Sequence, residues 1–246
     1  MLDIKNINIS YGKREILNNI NLTFRDSSFN AILGANGAGK TTLFKCILGL
    51  IKPFSGEILI ENKNIKDIKI KQRAKLVSYM PQILDVPFDY SVFDMVAFGF
   101  EAHTRIFSKI NKNKIFNILE MLNIQDLANR GVQSLSGGQK ALVLLARCML
   151  QDSKILLLDE PIAYLDINNQ KKLLDIISKL KEKIIIINIH DPSLALDYAT
   201  NIIAIKNQKI LFQKNKFDVT KEDLEKLYEI DLNYHKLENL HFIKAI

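Results

Sequence analysis

The chain has 246 residues, 48% hydrophobic and 25% charged, which suits one large domain, or one with a small insertion, and excludes a disordered or disulfide-stapled miniature. Its formal charge of +7, from 34 basic and 27 acidic side chains, is carried by scattered lysines (Lys66, Lys69, Lys71, Lys75, then Lys109, Lys112, Lys114). With no dense basic block interleaved with aromatics, this reads as a solvated surface and not a nucleic-acid face. No apolar run approaches a membrane span, and Asp3 and Lys5 interrupt any leader-like opening, so a cytosolic protein, or one held at a membrane by a partner, is expected. The two cysteines, Cys46 and Cys148, fit no metal spacing and read as buried, reduced thiols.

In chain order, Leu2, Ile4, Ile7 and Ile9 alternate toward a turn at Ser10-Tyr11-Gly12-Lys13, and Ile20 to Phe24 alternates again. Phe29 to Leu33 is an apolar run leading into Gly34-Ala35-Asn36-Gly37-Ala38-Gly39-Lys40-Thr41-Thr42. A helical pattern follows, through Leu43, Ile47, Leu48 and Leu50. Strand, glycine-rich turn and helix form the context of a phosphate-binding loop. Its glycines bend the backbone so that N–H groups point inward, and the helix adds the positive end of its dipole. Lys40 is expected to reach the terminal phosphates and the Thr41 hydroxyl to ligate Mg²⁺.

Glu57 to Glu61 predicts a strand, Lys71 to Lys75 a short polar helix, and Leu76 to Met80 a strand ending at Pro81-Gln82. From Ile83 to Arg130 the apolar positions recur at helical spacing, which predicts an inserted helical subdomain ending near Leu150. Within it, Leu135-Ser136-Gly137-Gly138-Gln139 precedes a helix from Lys140 to Leu150. Ser136 is a good N-cap, and Gly137 and Gly138 leave N–H groups open to an anion. Ile155 to Leu158 is an apolar strand ending in Asp159-Glu160-Pro161, which places carboxylates at the edge where parallel sheets bind ligands. Asp159 is expected to bind Mg²⁺ opposite Thr41, and Glu160 to polarise a water for in-line attack on the γ-phosphate. Leu173, Leu174, Ile177 and Leu180 form a helix stripe. Lys183 to Ile189 is a buried strand ending at His190, a candidate hydrogen-bond donor to the γ-phosphate. Gln82 offers an amide oxygen to the metal or its waters. Ile202 to Ile205 and Lys209 to Phe212 predict a hairpin around Asn207-Gln208, Asp223 to Tyr228 a short helix, and the tail from Asp231 has no decided pattern. One triphosphate rarely needs two glycine-rich helix ends, so two protomers sandwiching each nucleotide is the simple resolution.

These motifs resemble the nucleotide-binding subunit of an ATP-binding cassette (ABC) transporter, from Tyr11 to His190 in the family's order. Gly34 to Thr42 is similar to the Walker A loop, Gln82 to the Q-loop and Leu135 to Gln139 to the LSGGQ segment. Ile155 to Glu160 resembles Walker B with its catalytic glutamate, Ala163 to Asp166 the D-loop, and His190 the switch histidine. By the same resemblance Tyr11 is the aromatic that stacks on adenine. The departures are Ile162, where Thr is common, and Ala163-Tyr164, where a smaller pair is usual. The resemblance implies a P-loop α/β core (1–82 and 151–246) with a mixed sheet and an N-terminal antiparallel β part, plus a helical subdomain (83–150) that meets membrane subunits. It also implies an ATPase using ATP and Mg²⁺, with Glu160, His190 and Gln82 as catalytic groups. Tyr11, Gly34 to Thr42 and Ser136 to Gln139 would contact nucleotide, while Thr41, Gln82 and Asp159 would serve the metal.

Leu165-Asp166-Ile167-Asn168-Asn169-Gln170, His190-Asp191-Pro192-Ser193-Leu194-Ala195 and Pro87-Phe88 through Phe98-Gly99-Phe100-Glu101-Ala102-His103 resemble the importer branch for iron–siderophore complexes, haem or cobalamin. Phe100 and Ala102 depart from that branch's usual Gly-Arg-x-Pro-His. Molybdate or tungstate importers share the architecture. The implied assembly is a homodimer on two polytopic permease subunits, at the cytoplasmic face of the plasma membrane, served by an external binding protein and without nucleic acid. A soluble ABC ATPase of iron–sulfur cluster assembly is the rival from another class; its LSGGQ-like segment usually ends in Glu, where Gln139 stands here. DNA-repair ABC ATPases carry a long insertion between the Walker motifs, and translation factors carry two cassettes; neither pattern is present.

Overall fold

The computed structural model describes residues 1–82, 88–102, 112–237 and 240–245. In chain order the strands and helices are β1 (Leu2–Tyr11), β2 (Arg14–Phe24), β3 (Phe29–Leu33), α1 (Lys40–Ile47), β4 (Ser55–Ile60), β5 (Lys63–Asn64), α2 (Ile70–Leu76), β6 (Val77–Met80), α3 (Val92–Ala97), α4 (Lys112–Met121), α5 (Gly137–Gln151), β7 (Ile155–Asp159), α6 (Ile167–Ser178), β8 (Ile184–Asn188), α7 (Pro192–Tyr198), β9 (Asn201–Lys206), β10 (Lys209–Asn215), α8 (Lys221–Tyr228), β11 (Leu232–Leu237) and β12 (Leu240–Ala245). They divide into two compact units, Met1–Lys69 with Leu180–Ile246, and Ile70–Lys179.

The first unit holds the N-terminal antiparallel sheet, in order β2-β1-β4-β5. Leu2, Ile4, Ile7 and Ile9 of β1 are buried, and irregular register between Ile4, Ile7 and Ile9 accounts for their broken alternation. The unit's second sheet has β3 parallel to both β8 and β9, with β10 antiparallel at the side of β9. Strands β3 and β8 are buried at every position, so they read as continuous apolar runs and not as alternating ones. Asn30 sits inside β3 at 1% exposure, its amide donating to the Ile185 carbonyl at 3.0 Å and accepting from Asn201 at 3.0 Å, which satisfies a polar group that burial would otherwise penalise.

The undecided tail from Asp231 forms an antiparallel hairpin of β11 and β12 that packs on α7. Its fixed point is His241, 4% exposed, whose backbone N–H donates to Asp197 Oδ1 at 2.9 Å while its ring Nδ1 lies 2.9 Å from the same oxygen. Tyr234 stacks on the His241 ring at 6.1 Å.

The second unit contains the parallel pair β6 and β7 and the helices α2 to α6. Helices α3, α4 and α5 pack on one another, and Val92, Met95, Val96, Ile115, Leu119, Val143 and Leu145 on them are nearly fully buried. Helix α5 begins at Gly137, three residues before the expected start at Lys140, because the cap at Ser136 starts the helix at once. A Cβ on Gly99 would stand 2.2 Å from the Arg147 carbonyl oxygen, so only glycine lets that turn approach α5. Among the described residues no helix is long and apolar enough to cross a membrane.

Cys46 in α1 and Cys148 in α5 are buried, and burial pushes their thiols up to about 12 and about 11. Reaction needs the thiolate. Both thiols are therefore expected to resist a thiol-reactive disulfide reagent at pH 8 in the native protein and to react fully once it is denatured; rapid labelling of the native chain, followed by absorbance, would contradict this burial. In β3, Ile32→Ala removes a fully buried side chain and is expected to cost about 2–5 kcal/mol, read as a lower denaturation midpoint.

Candidate functional site

The first unit supplies the phosphate loop. Strand β3 ends at Leu33, and the chain turns through Gly34, Gly37 (φ 78°) and Gly39 (φ 99°) into α1. A Cβ on Gly39 would lie 2.6 Å from Leu17 Cδ2, and the left-handed φ adds strain, so this position admits only glycine. Nothing stands within 4 Å of a Cβ built on Gly37, which leaves the mouth of the loop open. Ala35, Asn36 and Gly37 are exposed, whereas Lys40 is only 6% exposed. Its ammonium donates to the carbonyls of Gly34 at 2.7 Å and Ala35 at 3.1 Å, which holds the buried charge inside the curl of the loop. Thr41 and Thr42, in the first turn of α1, are half-buried.

His190 emerges at the same edge as this loop. Ile32 of β3 is paired with Asn188 of β8, so the loop after Leu33 and the turn at His190 leave neighbouring parallel strands side by side. His190 is exposed, and its carbonyl accepts from Tyr228 of α8 at 3.4 Å. Asp191 caps α7, accepting from the Ser193 and Leu194 N–H groups. Tyr11, at the end of β1, is 49% exposed, which leaves its ring available for stacking.

The second unit carries the carboxylates and the glutamine. The register Met80↔Leu158 places Gln82 and Glu160 each two residues past a paired position, and the two side chains meet there. Gln82 Nε2 donates to Glu160 Oε2. Glu160 has φ 50°, a left-handed conformation that re-aims its side chain as the strand turns toward Pro161. Asp159, at the buried end of β7, is 2% exposed and accepts from the Tyr79 hydroxyl at 3.1 Å. Burial, then the Asp159 charge and the hydrogen bond to it, push the Tyr79 phenol above its usual range, so it remains a donor.

Ser136 forms a full capping box: its side chain accepts from the Gln139 N–H at 3.3 Å, and its own N–H donates to Gln139 Oε1 at 3.1 Å. The glycines after it have a second role. A Cβ on Gly137 would stand 3.3 Å from Tyr164 Cβ, and one on Gly138 3.0 Å from Leu165 Cδ2, so the glycine pair seats the segment 163–166 against α5. A cavity of about 290 Å³ opens between Gln82, Glu160, Lys140 and Tyr164.

Sequence reasoning missed Tyr79, Tyr228 and the fit of Gly137 and Gly138 against Tyr164 and Leu165. The parity of β6 was the available signal for Tyr79, since it places this residue and Met80 on opposite faces. Pro87 and His103 lie outside the described residues.

Residues 17–163 match the profile of the ABC transporter family. The chain belongs to that family. As an ABC cassette it is an ATPase of the transporter type, which agrees with the motif order read from the sequence. A probable iron chelatin transport ATP-binding protein of Helicobacter pylori is 38% identical over 240 residues, 94% of each chain. The petrobactin import ATP-binding protein FpuD of Bacillus anthracis is 33% identical, over 91% of this ABC chain and 84% of its own length. In structure, the ABC cassette is similar to an inward-facing transporter assigned to the metal-chelate type, with a TM-score of 0.84, 26% identity and coverage of 100% and 96%. It is also similar to a dimeric cassette in a post-hydrolysis state bound to ADP and Pi, with a TM-score of 0.78, 25% identity and coverage of 88% and 99%.

Ser136→Ala removes the cap of α5 and is expected to cost about 1 kcal/mol of unfolding free energy, measured by denaturant titration.

Proposed function

We propose that this chain is the ATP-hydrolysing subunit of an importer of iron chelates. The cargo rests on one observation: the relative named for iron chelatin transport matches this chain over 94% of both lengths. The petrobactin and siderophore names of two further relatives point the same way.

In this reading the phosphates of ATP lie in the Gly34 to Thr42 loop, and Lys40 exchanges its loop carbonyls for phosphate oxygens. Tyr11 stacks on adenine. Thr41, Asp159 and Gln82 would hold Mg²⁺; a hydroxyl, a carboxylate and an amide oxygen are the hard donors this ion takes. When bound, Mg²⁺ would neutralise the negative charge that builds on the phosphate oxygens during transfer. Glu160 orients the attacking water and takes its proton, and to do so it must exchange the Gln82 amide for that water. His190 donates to the γ-phosphate. Ser136 to Gln139 close over the nucleotide of a second copy, so the working unit is a homodimer.

The remaining assignments depend on that dimer. The helical region within 83–150 meets two permease subunits at the cytoplasmic face of the plasma membrane, and an external binding protein delivers the chelate. Closure of the dimer does mechanical work on the permeases, and hydrolysis resets it.

Glu160→Gln should retain ATP binding and lower turnover by at least about 100-fold, the loss expected for a positioned general base, with a dimer trapped on a sizing column. Turnover equal to the parent chain would refute the role given to Glu160. Lys40→Ala should weaken ATP binding more than threefold, or more than about 0.7 kcal/mol, in a fluorescent-nucleotide titration. For the cargo, a deletion strain should lose uptake of labelled ferric chelate and regain it with the parent chain but not with Glu160→Gln. Normal ferric-chelate uptake with loss of molybdate or cobalamin uptake would overturn the iron reading.

A further inference from the structure

Tyr79 belongs to none of the motifs, yet it touches the residue on which the metal assignment rests. In the parallel pair of β6 and β7, Tyr79 stands opposite Leu157, and Asp159 lies two residues further on the same face of β7. Two residues of strand advance about 6.6 Å, a span that a tyrosine side chain covers and a shorter one does not. The phenolic hydroxyl meets Asp159 Oδ2 at 3.1 Å.

The rest of Tyr79 is fixed from a third element. Arg147 of α5 donates from Nη2 to the Tyr79 carbonyl at 3.1 Å. One residue earlier, Ser153 Oγ and Ser78 Oγ are 2.7 Å apart, tying β6 to the turn that enters β7. Asp159 itself is 2% exposed, so water contributes little to holding its carboxylate. A buried carboxylate with one oxygen engaged by a fixed donor keeps one rotation about its Cβ–Cγ bond, and its second oxygen inherits a defined direction.

We propose that Tyr79 is a positioning residue for the metal-binding carboxylate, orienting Asp159 so that its second oxygen meets Mg²⁺ or a water bound to it. This rests on the reading of Asp159 as the metal's carboxylate. It also links two motifs within one unit: α5 opens with the LSGGQ segment, Arg147 of the same helix holds the Tyr79 backbone, and the Tyr79 hydroxyl holds Asp159. A shift of α5 is therefore felt at the metal-binding oxygen.

The test is the Mg²⁺ dependence of nucleotide binding, measured on the full chain with a non-hydrolysable ATP analogue. Tyr79→Phe keeps the ring and removes the hydroxyl. The Mg²⁺ concentration for half-saturation should rise about 10-fold, which is about 1.4 kcal/mol, while affinity without Mg²⁺ stays within twofold. Site-specific 3-fluorotyrosine, which keeps a hydroxyl donor, should restore the parent value. Equal loss with and without Mg²⁺, or an unchanged half-saturation, would reduce Tyr79 to a packing residue. A destabilised Tyr79→Phe, detected by thermal melting, would be replaced by the double-mutant comparison. In an Asp159→Asn background the same change should produce no further rise, and an additive rise would overturn the proposal. Asp159→Asn alone separates the two readings. If it leaves the Mg²⁺ dependence untouched, the metal assignment of Asp159 fails and the role of Tyr79 falls with it; if it raises half-saturation and Tyr79→Phe does not, only the Tyr79 proposal fails.

Discussion

Paired parallel strands end at a common edge, and their register decides which residues emerge there side by side. In the first unit the pairing Ile32↔Asn188 sends the phosphate loop and His190 out together. In the second, Met80↔Leu158 brings Gln82 onto Glu160. The same register carries Tyr79 to Asp159. Slipping either pair by one residue would turn every side chain to the opposite face and dismantle these meetings. The chemistry depends on register, and register depends on strands such as β3, β7 and β8 that are apolar at nearly every position and buried on both faces.

Burial then sets what each polar group does. Lys40, nearly fully buried, has its ammonium satisfied by two carbonyls of its own loop. Asp159, at the buried end of β7, accepts from the Tyr79 hydroxyl of the neighbouring strand. Glu160, half-buried and left-handed, holds the Gln82 amide in place of water. In the proposed mechanism the partners of Lys40 and Glu160 give way to ligand groups, whereas Tyr79 keeps its hold on Asp159.

The legible parts are local in sequence. The phosphate loop, Asp159-Glu160 and the LSGGQ segment announce themselves because backbone curvature, cap and carboxylate all fall within a few residues. Contacts made across strands leave no such local trace. Tyr79 reads as one aromatic in a short strand, and only pairing with β7 gives its hydroxyl a task. The start of α5 reads late because glycines are poor helix formers, at about 1 kcal/mol each, whereas the Ser136 and Gln139 box offsets that cost at the first turn. The terminal hairpin is hidden for a different reason. Leu240 and Phe242 are about half exposed while His241 between them is buried, which inverts the pattern by which apolar alternation marks a core-facing strand.

That hairpin also bears on how the polypeptide can be handled. Its β12 lies on α7, the helix that leaves the turn at His190, and its His241 supplies a backbone donor to Asp197 of that helix. Cutting the chain at Asp231 would strip a layer from α7 and leave the Asp197 carboxylate to water. A bulky group attached near Ala245 would sit at the end of a strand packed on α7, the helix whose Asp197 the hairpin holds.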